Sequence, residues 1–365
     1  MTRILEPDLL EDLRRIAESA GVLRLSAVSL DHPGLAVAAA AFDAYIDEGR
    51  HGTMEFLVRS RAARHDPNLV LPGARSALVG VVPYGGVADP VARYAQHADY
   101  HTVVHRRLER VEARLLHRLP DVATRICVDT KPVMERALAA LAGIGRLGKS
   151  GMLIVPGLGT YVVIGVILTT AEVSERERPY AREAFDVCGR CTACLDACPT
   201  KAFDGPGRLD ARRCIAYLTI EHRGPIDPDL AVRMGVRVAG CDVCQEVCPH
   251  NTGPATAPRA PEHAYLPPPS DGFRRAEHPD VLEAWVGLRS GAYRRLVRGT
   301  ALRRIPRHAL RRNALLALAA ASPPRHQLER ALDAVRDAAD PALAAAASTV
   351  RDRLVRGRER TAPEW

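Results

Sequence analysis

An α/β domain, a small cysteine-rich domain and an all-α domain follow one another along this chain of 365 residues. Three observations predict them: strand and helix patterns alternate up to residue 172, eight of the nine cysteines fall between Cys188 and Cys248, and from Gly272 onward the pattern is helical. With 47% hydrophobic and 26% charged residues the chain can bury a sizeable core, which excludes wholesale disorder. Nine cysteines are too few for a disulfide scaffold at this length, and their clustering points to metal.

The first domain, residues 1–172, opens with an amphipathic helix in which Leu9, Leu10, Leu13, Ile16 and Ala17 share one face and Gly21 follows. Residues 77–82 read as a buried strand, 99–119 as a long charged helix, 124–128 as another strand and 134–142 as a short Ala-rich helix. Residues 152–171 carry no charge and are long enough to cross a bilayer. Pro156, Gly157 and Gly159 interrupt them, so they are read as a hairpin of two buried strands, 152–155 and 160–169, and no membrane span is expected. Acidic and basic residues are mixed over residues 1–24 with no apolar export segment, which predicts a cytoplasmic protein.

The second domain spans residues 173–262. Cys188-x2-Cys191-x2-Cys194-x3-Cys198-Pro199 is the run of a bacterial ferredoxin, where three closely spaced thiolates hold one [4Fe-4S] cube and the fourth reaches a second. The partner run, Cys241-x2-Cys244-x3-Cys248-Pro249, lacks its first cysteine because position 238 is Val, and Cys214 can supply it. The crossed rule then assigns Cys188, Cys191, Cys194 and Cys248 to one cluster and Cys198, Cys214, Cys241 and Cys244 to the other, in a ferredoxin-like double-cluster domain. Paired zinc ribbons are the competing reading, but they need neither the third cysteine at this spacing nor the Cys-Pro pairs. Cys127 stands apart on a predicted strand and is read as core.

Beyond a Pro-rich linker at residues 251–270, the third domain, 272–365, contains predicted helices at 308–321, 326–339 and 341–356 separated by tight Pro turns. Such an order suggests stacked helical pairs of HEAT-like type. The formal net charge is +8, and the 19 Arg against 10 acidic residues after position 271 account for all of it. A basic face confined to one domain suggests a polyanionic partner.

A double-cluster module alone would be an electron carrier. Placed between an α/β domain and a basic helical one, it suggests electrons delivered to chemistry in the first domain on a substrate held by the last. The densest polar stretch of the first domain is residues 129–136, at the end of a predicted strand. Gly143-x4-Gly148-Lys149-Ser150 fits the P-loop expression, yet it follows a helix and runs into a strand, the reverse of a nucleotide loop.

Taken together, Val128-Asp129-Thr130-x-Pro132-Val133-x-Glu135-Arg136, Gly143-Ile144-Gly145-x2-Gly148-Lys149, both cysteine runs, and Arg213-Cys214 with Glu221 resemble the tRNA epoxyqueuosine reductases. Met54-Glu55-Phe56-Leu57, Arg64-His65-Asp66-Pro67, Asp99-Tyr100-His101 and Arg312-Asn313 extend the resemblance over nearly the whole chain. It implies a cobalamin-dependent iron-sulfur oxidoreductase that reduces epoxyqueuosine to queuosine at the wobble position of tRNA, the last step of queuosine biosynthesis. In that reading two low-potential clusters feed cobalamin, reduced cobalt opens the epoxide, and Asp129, matching the family's proton donor, protonates the oxygen. The resemblance also implies corrin contacts from Arg64, Thr130, Lys131 and Lys149, an apolar face from Leu153 and Ile164, and tRNA contacts from Arg303, Arg304, Arg307, Arg311 and Arg312. The expected partners are the tRNA anticodon stem-loop, with its modified base splayed out, and an external low-potential electron donor, the protein itself being a monomer. Arg146, Lys131, Ala216 and His250 depart from the residues usual in the family. The alternative is a related cobalamin and iron-sulfur reductase of a small molecule, resembling reductive dehalogenases, which would have no need of the Arg-rich tail.

Overall fold

A computed structural model describes residues 3–173, 186–251, 260–269, 276 and 278–359. Most of the charged segment ahead of the cysteines and much of the Pro-rich linker lie outside these residues, as do positions 360–365.

After the short strand β1 (Ile4–Leu5), helix α1 (Pro7–Ser19) starts on Pro7 and turns Leu9, Leu10, Leu13 and Ala17 inward. There follow β2 (Leu23–Ser29), α2 (Gly34–Asp47), the short helices α3 (Glu55–Arg59) and α4 (Arg61–His65), β3 (Ser76–Pro83), α5 (Tyr100–Arg118) and β4 (Thr124–Cys127). Then come α6 (Glu135–Leu141), β5 (Arg146–Leu147), β6 (Leu153–Ile154), β7 (Val162–Thr169) and β8 (Glu172–Val173). The main sheet has the order β2-β3-β7-β4 and is antiparallel at every step. The alternation of strands and helices read from the sequence is present, but with long connections the order of elements along a chain does not fix strand direction.

β3 is buried at all eight positions because helices cover both faces of the sheet. On one side Leu78, Val82 and Ile167 meet α1 and α5; on the other Val79, Val81 and Val166 meet Leu138 and Ala139 of α6. The approach of α5 is close: a Cβ at Gly165 would come within 2.8 Å of Val104 and Leu108. Cys127 is buried in this second core, as read from the sequence.

The predicted hairpin is corrected in part. The turn exists, with Val155 bridging Gly159, but the two strands diverge. β6 pairs with β5 in a separate two-stranded sheet, while β7 lies centrally between β3 and β4. Eight consecutive residues give β7 partners on both sides, whereas β6 offers only two. Among the described residues no helix is long and apolar enough to cross a membrane.

The cysteine region carries α7 (Ala193–Asp196), α8 (Ile215–Ile220), α9 (Pro228–Met234) and α10 (Val243–Glu246). The tail consists of α11 (Pro279–Val286), α12 (Ser290–Leu296), α13 (Arg307–Ala320), α14 (Arg325–Asp333) and α15 (Pro341–Glu359). α14 ends six residues before the end predicted for it, at Asp333. α13 is the hub, packed against α11, α14 and α15 of the tail and against α8 and α9 of the cysteine region. Ile215, Leu218, Met234 and Val238 of the cysteine region therefore share one hydrophobic core with Leu282, Trp285, Leu310 and Leu315 of the tail.

Candidate functional site

The eight clustered cysteines are held by short turns and helix starts. Cys194 lies on α7 and Cys244 on α10, which pack together, and Cys214 is the residue before α8. Burial raises the Cys194 thiol, and Cys188, Cys248 and Cys191 raise it further by their proximity. Burial also lifts Cys244 far above the ordinary thiol range, with Cys241 and Cys214 adding and Cys194 a weaker influence; Cys214 in turn senses Cys198. These mutual influences link Cys194 with Cys188, Cys191 and Cys248, Cys244 with Cys241 and Cys214, and Cys214 with Cys198. Backbone amides point at the sulfurs: Ala202 N–H donates to Cys198 Sγ at 3.3 Å, and amides of Ala216 and Tyr217 reach Cys214.

Buried thiols raised in this way resist ionising alone, so a cation must draw off their protons, and directed amides stabilise the resulting anions. That donor chemistry fits two iron-sulfur cubes. Among the described residues no three His, Cys, Asp or Glu side chains converge on a single-ion site.

Where β4 stops, the chain turns through Asp129 with φ of 52°, a left-handed conformation that is strained for a side-chain-bearing residue. The first turn of α5 grips its carboxylate. Tyr100 Oη donates to Asp129 Oδ2 at 2.5 Å, and His101 Nε2 lies 3.8 Å from the same oxygen. His101 is fixed by Asp99 at 2.7 Å and stacks on the Tyr100 ring at 4.0 Å. Burial, then the charge of Asp129, pushes the Tyr100 phenol far above its usual range, so it stays protonated and donating. Asp129 itself is 68% exposed. Its backbone N–H donates to Glu135 Oε1 at 3.2 Å, and burial lifts the Glu135 carboxyl to about 7, Asp129 adding to the shift.

Tyr94 meets the Tyr100 ring edge-on at 5.8 Å. Burial raises its phenol first, and the charges of Asp129 and Asp242 each add.

Of the proposed corrin contacts, Thr130 and Lys131 are exposed beside Asp129. Arg64 donates to the Val133 carbonyl at 3.0 Å and is influenced by Glu135 and Asp129. Because β4 ends at Cys127, β7 continues past it with Val162, Val163 and Ile164 half-buried. The Asp129 carboxylate, the exposed Thr130 and Lys131 and the Arg64 guanidinium form a polar rim whose donors and acceptors suit an amide-rimmed macrocycle. Two expectations are corrected. Leu153 is only 3% exposed and belongs to the core, and the Lys149 ammonium is committed to the carbonyls of Gly189 (2.6 Å) and Cys191 (3.0 Å) in the first cysteine loop.

Among the tail arginines, Arg303 and Arg304 are exposed, while Arg307 and Arg311 are half-buried and donate to carbonyls of Leu288, Val286 and Ala334. Arg312 is a clear correction. It is fully buried and donates to the carbonyls of Leu218 (2.7 Å), His222 (3.1 Å) and Gly224 (2.6 Å) and to Asn313 Oδ1, leaving nothing for a phosphate. Composition records its charge but not its burial. Sequence pattern alone does not assign roles to Glu135, Tyr100 or His101; the signal that bears on them is Asp99-Tyr100-His101 at the start of α5.

Residues 187–251 match the family described as "4Fe-4S double cluster binding domain", and residues 64–130 that described as "Epoxyqueuosine reductase QueG, DUF1730". An epoxyqueuosine reductase from Synechococcus sp. (strain CC9605) is 38% identical over 298 residues, 78% of this chain and 86% of that protein. A crystal structure of selenomethionine-labelled epoxyqueuosine reductase superposes with a TM-score of 0.79 at 26% identity, covering 98% of this chain and 96% of the other. A second, of epoxyqueuosine reductase with a tRNA-Tyr epoxyqueuosine-modified stem loop, gives 0.77 at 25% identity, covering 98% and 95%.

Proposed function

From the premise that this chain belongs to the epoxyqueuosine reductase family, we propose that Asp129 is the proton donor of a reaction reducing epoxyqueuosine to queuosine in tRNA. The overall change consumes two electrons and two protons, converting the epoxide to an alkene and releasing its oxygen as water. The family match and the two thiol quartets support two [4Fe-4S] clusters, held by Cys188, Cys191, Cys194 and Cys248 and by Cys198, Cys214, Cys241 and Cys244. Bound cobalamin would supply the strongly nucleophilic reduced cobalt that epoxide opening requires, with its electrons coming from the clusters.

The observation that carries this reading is the Tyr100–Asp129 contact on an exposed, left-handed loop. Tyr100 holds Oδ2, and the Glu135 side chain holds the loop backbone, so the carboxyl is fixed just beyond the end of β4. From that position a protonated carboxyl could pass its proton to an epoxide oxygen held above it, the role of a general acid. Arg64, Thr130, Lys131 and Ile164 are the side chains placed to hold the corrin. Arg303, Arg304, Arg307 and Arg311 would face the anticodon stem-loop from a HEAT-like tail, with unit boundaries near residues 172 and 272 as read from the sequence. A tRNA substrate also favours work in the cytoplasm, fed by an external low-potential electron donor.

The test is anaerobic protein carrying iron-sulfur clusters and cobalamin, incubated with an epoxyqueuosine-bearing stem-loop and a chemical reductant. Nucleoside mass spectrometry should show queuosine, lighter by one oxygen. Intact substrate after incubation with fully loaded protein would refute the reading.

Glu135 gives a prediction of its own. Its folded-state value of about 7 lies above the ordinary 4.5, so the native state binds this proton more tightly than the unfolded chain does. The associated stability is full below 4.5 and lost as pH rises through about 7. Glu135→Gln should abolish that slope, making melting temperature less dependent on pH in this interval than in the wild type; parallel profiles would show that Glu135 does not titrate there.

A further inference from the structure

Three separately folded segments meet at the mouth of the Asp129 site. Phe56 comes from α3, Glu221 caps the end of α8, and Arg304 closes the 3-10 turn Ala301–Arg304. The Arg304 guanidinium lies over the Phe56 ring, 5.2 Å from its centroid. It is locked there by a two-pronged pair with Glu221, Nε to Oε1 at 2.8 Å and Nη2 to Oε2 at 3.0 Å. Arg223 donates to the Arg304 carbonyl at 3.3 Å, so main chain and side chain are both held. Asp99 N–H donates to the Gly299 carbonyl at 2.7 Å, which sets the segment leading into this turn beside the start of α5, where Tyr100 holds Asp129.

This arrangement is not that of a phosphate anchor. The fork that would grip a phosphate is already occupied by a largely buried carboxylate, which also compensates the charge. What remains available is surface: 53% of the Arg304 side chain and 38% of Phe56 stay exposed. A guanidinium held over an aromatic ring, with both members partly open, offers a surface on which another planar layer can stack.

We propose that Phe56 and Arg304 form the stacking platform for the splayed wobble nucleobase, holding the epoxide-bearing ring over Asp129. The inference rests on the epoxyqueuosine reading and adds to it the side chains that receive the base. Stacking planes of this kind accept an unstacked base through its π face, without reading its edge. Phosphate contacts are then left to other arginines, such as the exposed Arg303.

The test uses the cluster- and cobalamin-loaded enzyme with two stem-loops, one carrying epoxyqueuosine and one abasic at the wobble position. Phe56→Ala and Arg304→Gln should weaken binding of the base-bearing stem-loop by about tenfold or more, leave the abasic one unchanged, and keep the salt slope of wild type. Phe56→Trp should preserve the preference for the base-bearing stem-loop. Equal losses on both stem-loops with a salt slope lower by about one would make Arg304 a phosphate anchor and overturn the proposal. Unchanged affinity in the alanine and glutamine variants would overturn it too, as would loss of the preference in Phe56→Trp with iron content intact. Wild-type enzyme that bound but did not reduce the stem-loop would count against the reaction rather than the platform.

Discussion

Asp129→Asn is expected to retain iron, sulfide and cobalamin while losing turnover by between about a hundredfold and ten thousandfold, the range of a removed general acid. Asparagine has the same shape, can accept the Tyr100 hydroxyl in place of the carboxylate, and tolerates the left-handed backbone at φ of 52°. What it cannot do is give up an acidic proton to the epoxide oxygen. Asp129→Ala would remove the acid and the Tyr100 contact together, so its loss would be harder to assign. Single-turnover conversion of the modified stem-loop, measured beside iron content, is the readout. Activity near wild type in the asparagine variant would end the proton-donor assignment.

Arg312→Ala should act on stability rather than on RNA affinity. The guanidinium is fully buried, and its removal leaves the carbonyls of Leu218, His222 and Gly224 without their donor. Burial pushes its pKa down to about 10, which still leaves it charged at neutral pH. Breaking a buried charged network of this kind costs about 3–5 kcal/mol. Asn313 stands alongside, its side-chain amide donating to Thr219 and Val238 carbonyls at 2.8 Å each. Leu218 and Thr219 belong to the last turns of α8, whose first residue follows Cys214. The variant should therefore melt earlier and lose iron from the quartet containing Cys214, whereas Arg303→Ala, on the surface, should change stability by no more than about 0.5 kcal/mol. A variant of Arg312 with wild-type melting and iron but weakened stem-loop binding would restore the RNA role first expected of it.

The parts most legible in the sequence were those governed by short-range pattern. Cysteine spacing implied two quartets because each knuckle is built from neighbouring residues, and helices α1, α5 and α13 followed their apolar periodicity to within two residues at each end. Strand β2 went unread although Leu23, Leu25 and Ala27 alternate with Arg24 and Ser26 in strand period, because the run is short and carries few β-branched residues, and α2 because its long alanine run gives little amphipathic contrast. Long-range geometry was less accessible. Nothing local distinguishes the buried Arg312 from the exposed Arg303, and the meeting of Phe56 with Arg304 depends on how the first unit and the tail pack around α8. Tyr100 and His101 were visible as a motif, but their hold on Asp129 needed the start of α5 to be set against the end of β4.

The interior common to the cysteine region and the tail has an evolutionary consequence. A redox module with its own independent core can be cut out and recombined with new partners, as a cassette. Here such an excision would lay bare Leu310, Leu315 and Trp285 on one fragment and Leu218 and Met234 on the other. The cysteine region and the tail of this protein are thus bound to descend together, and a change of specificity must come through surface side chains rather than through exchange of the tail.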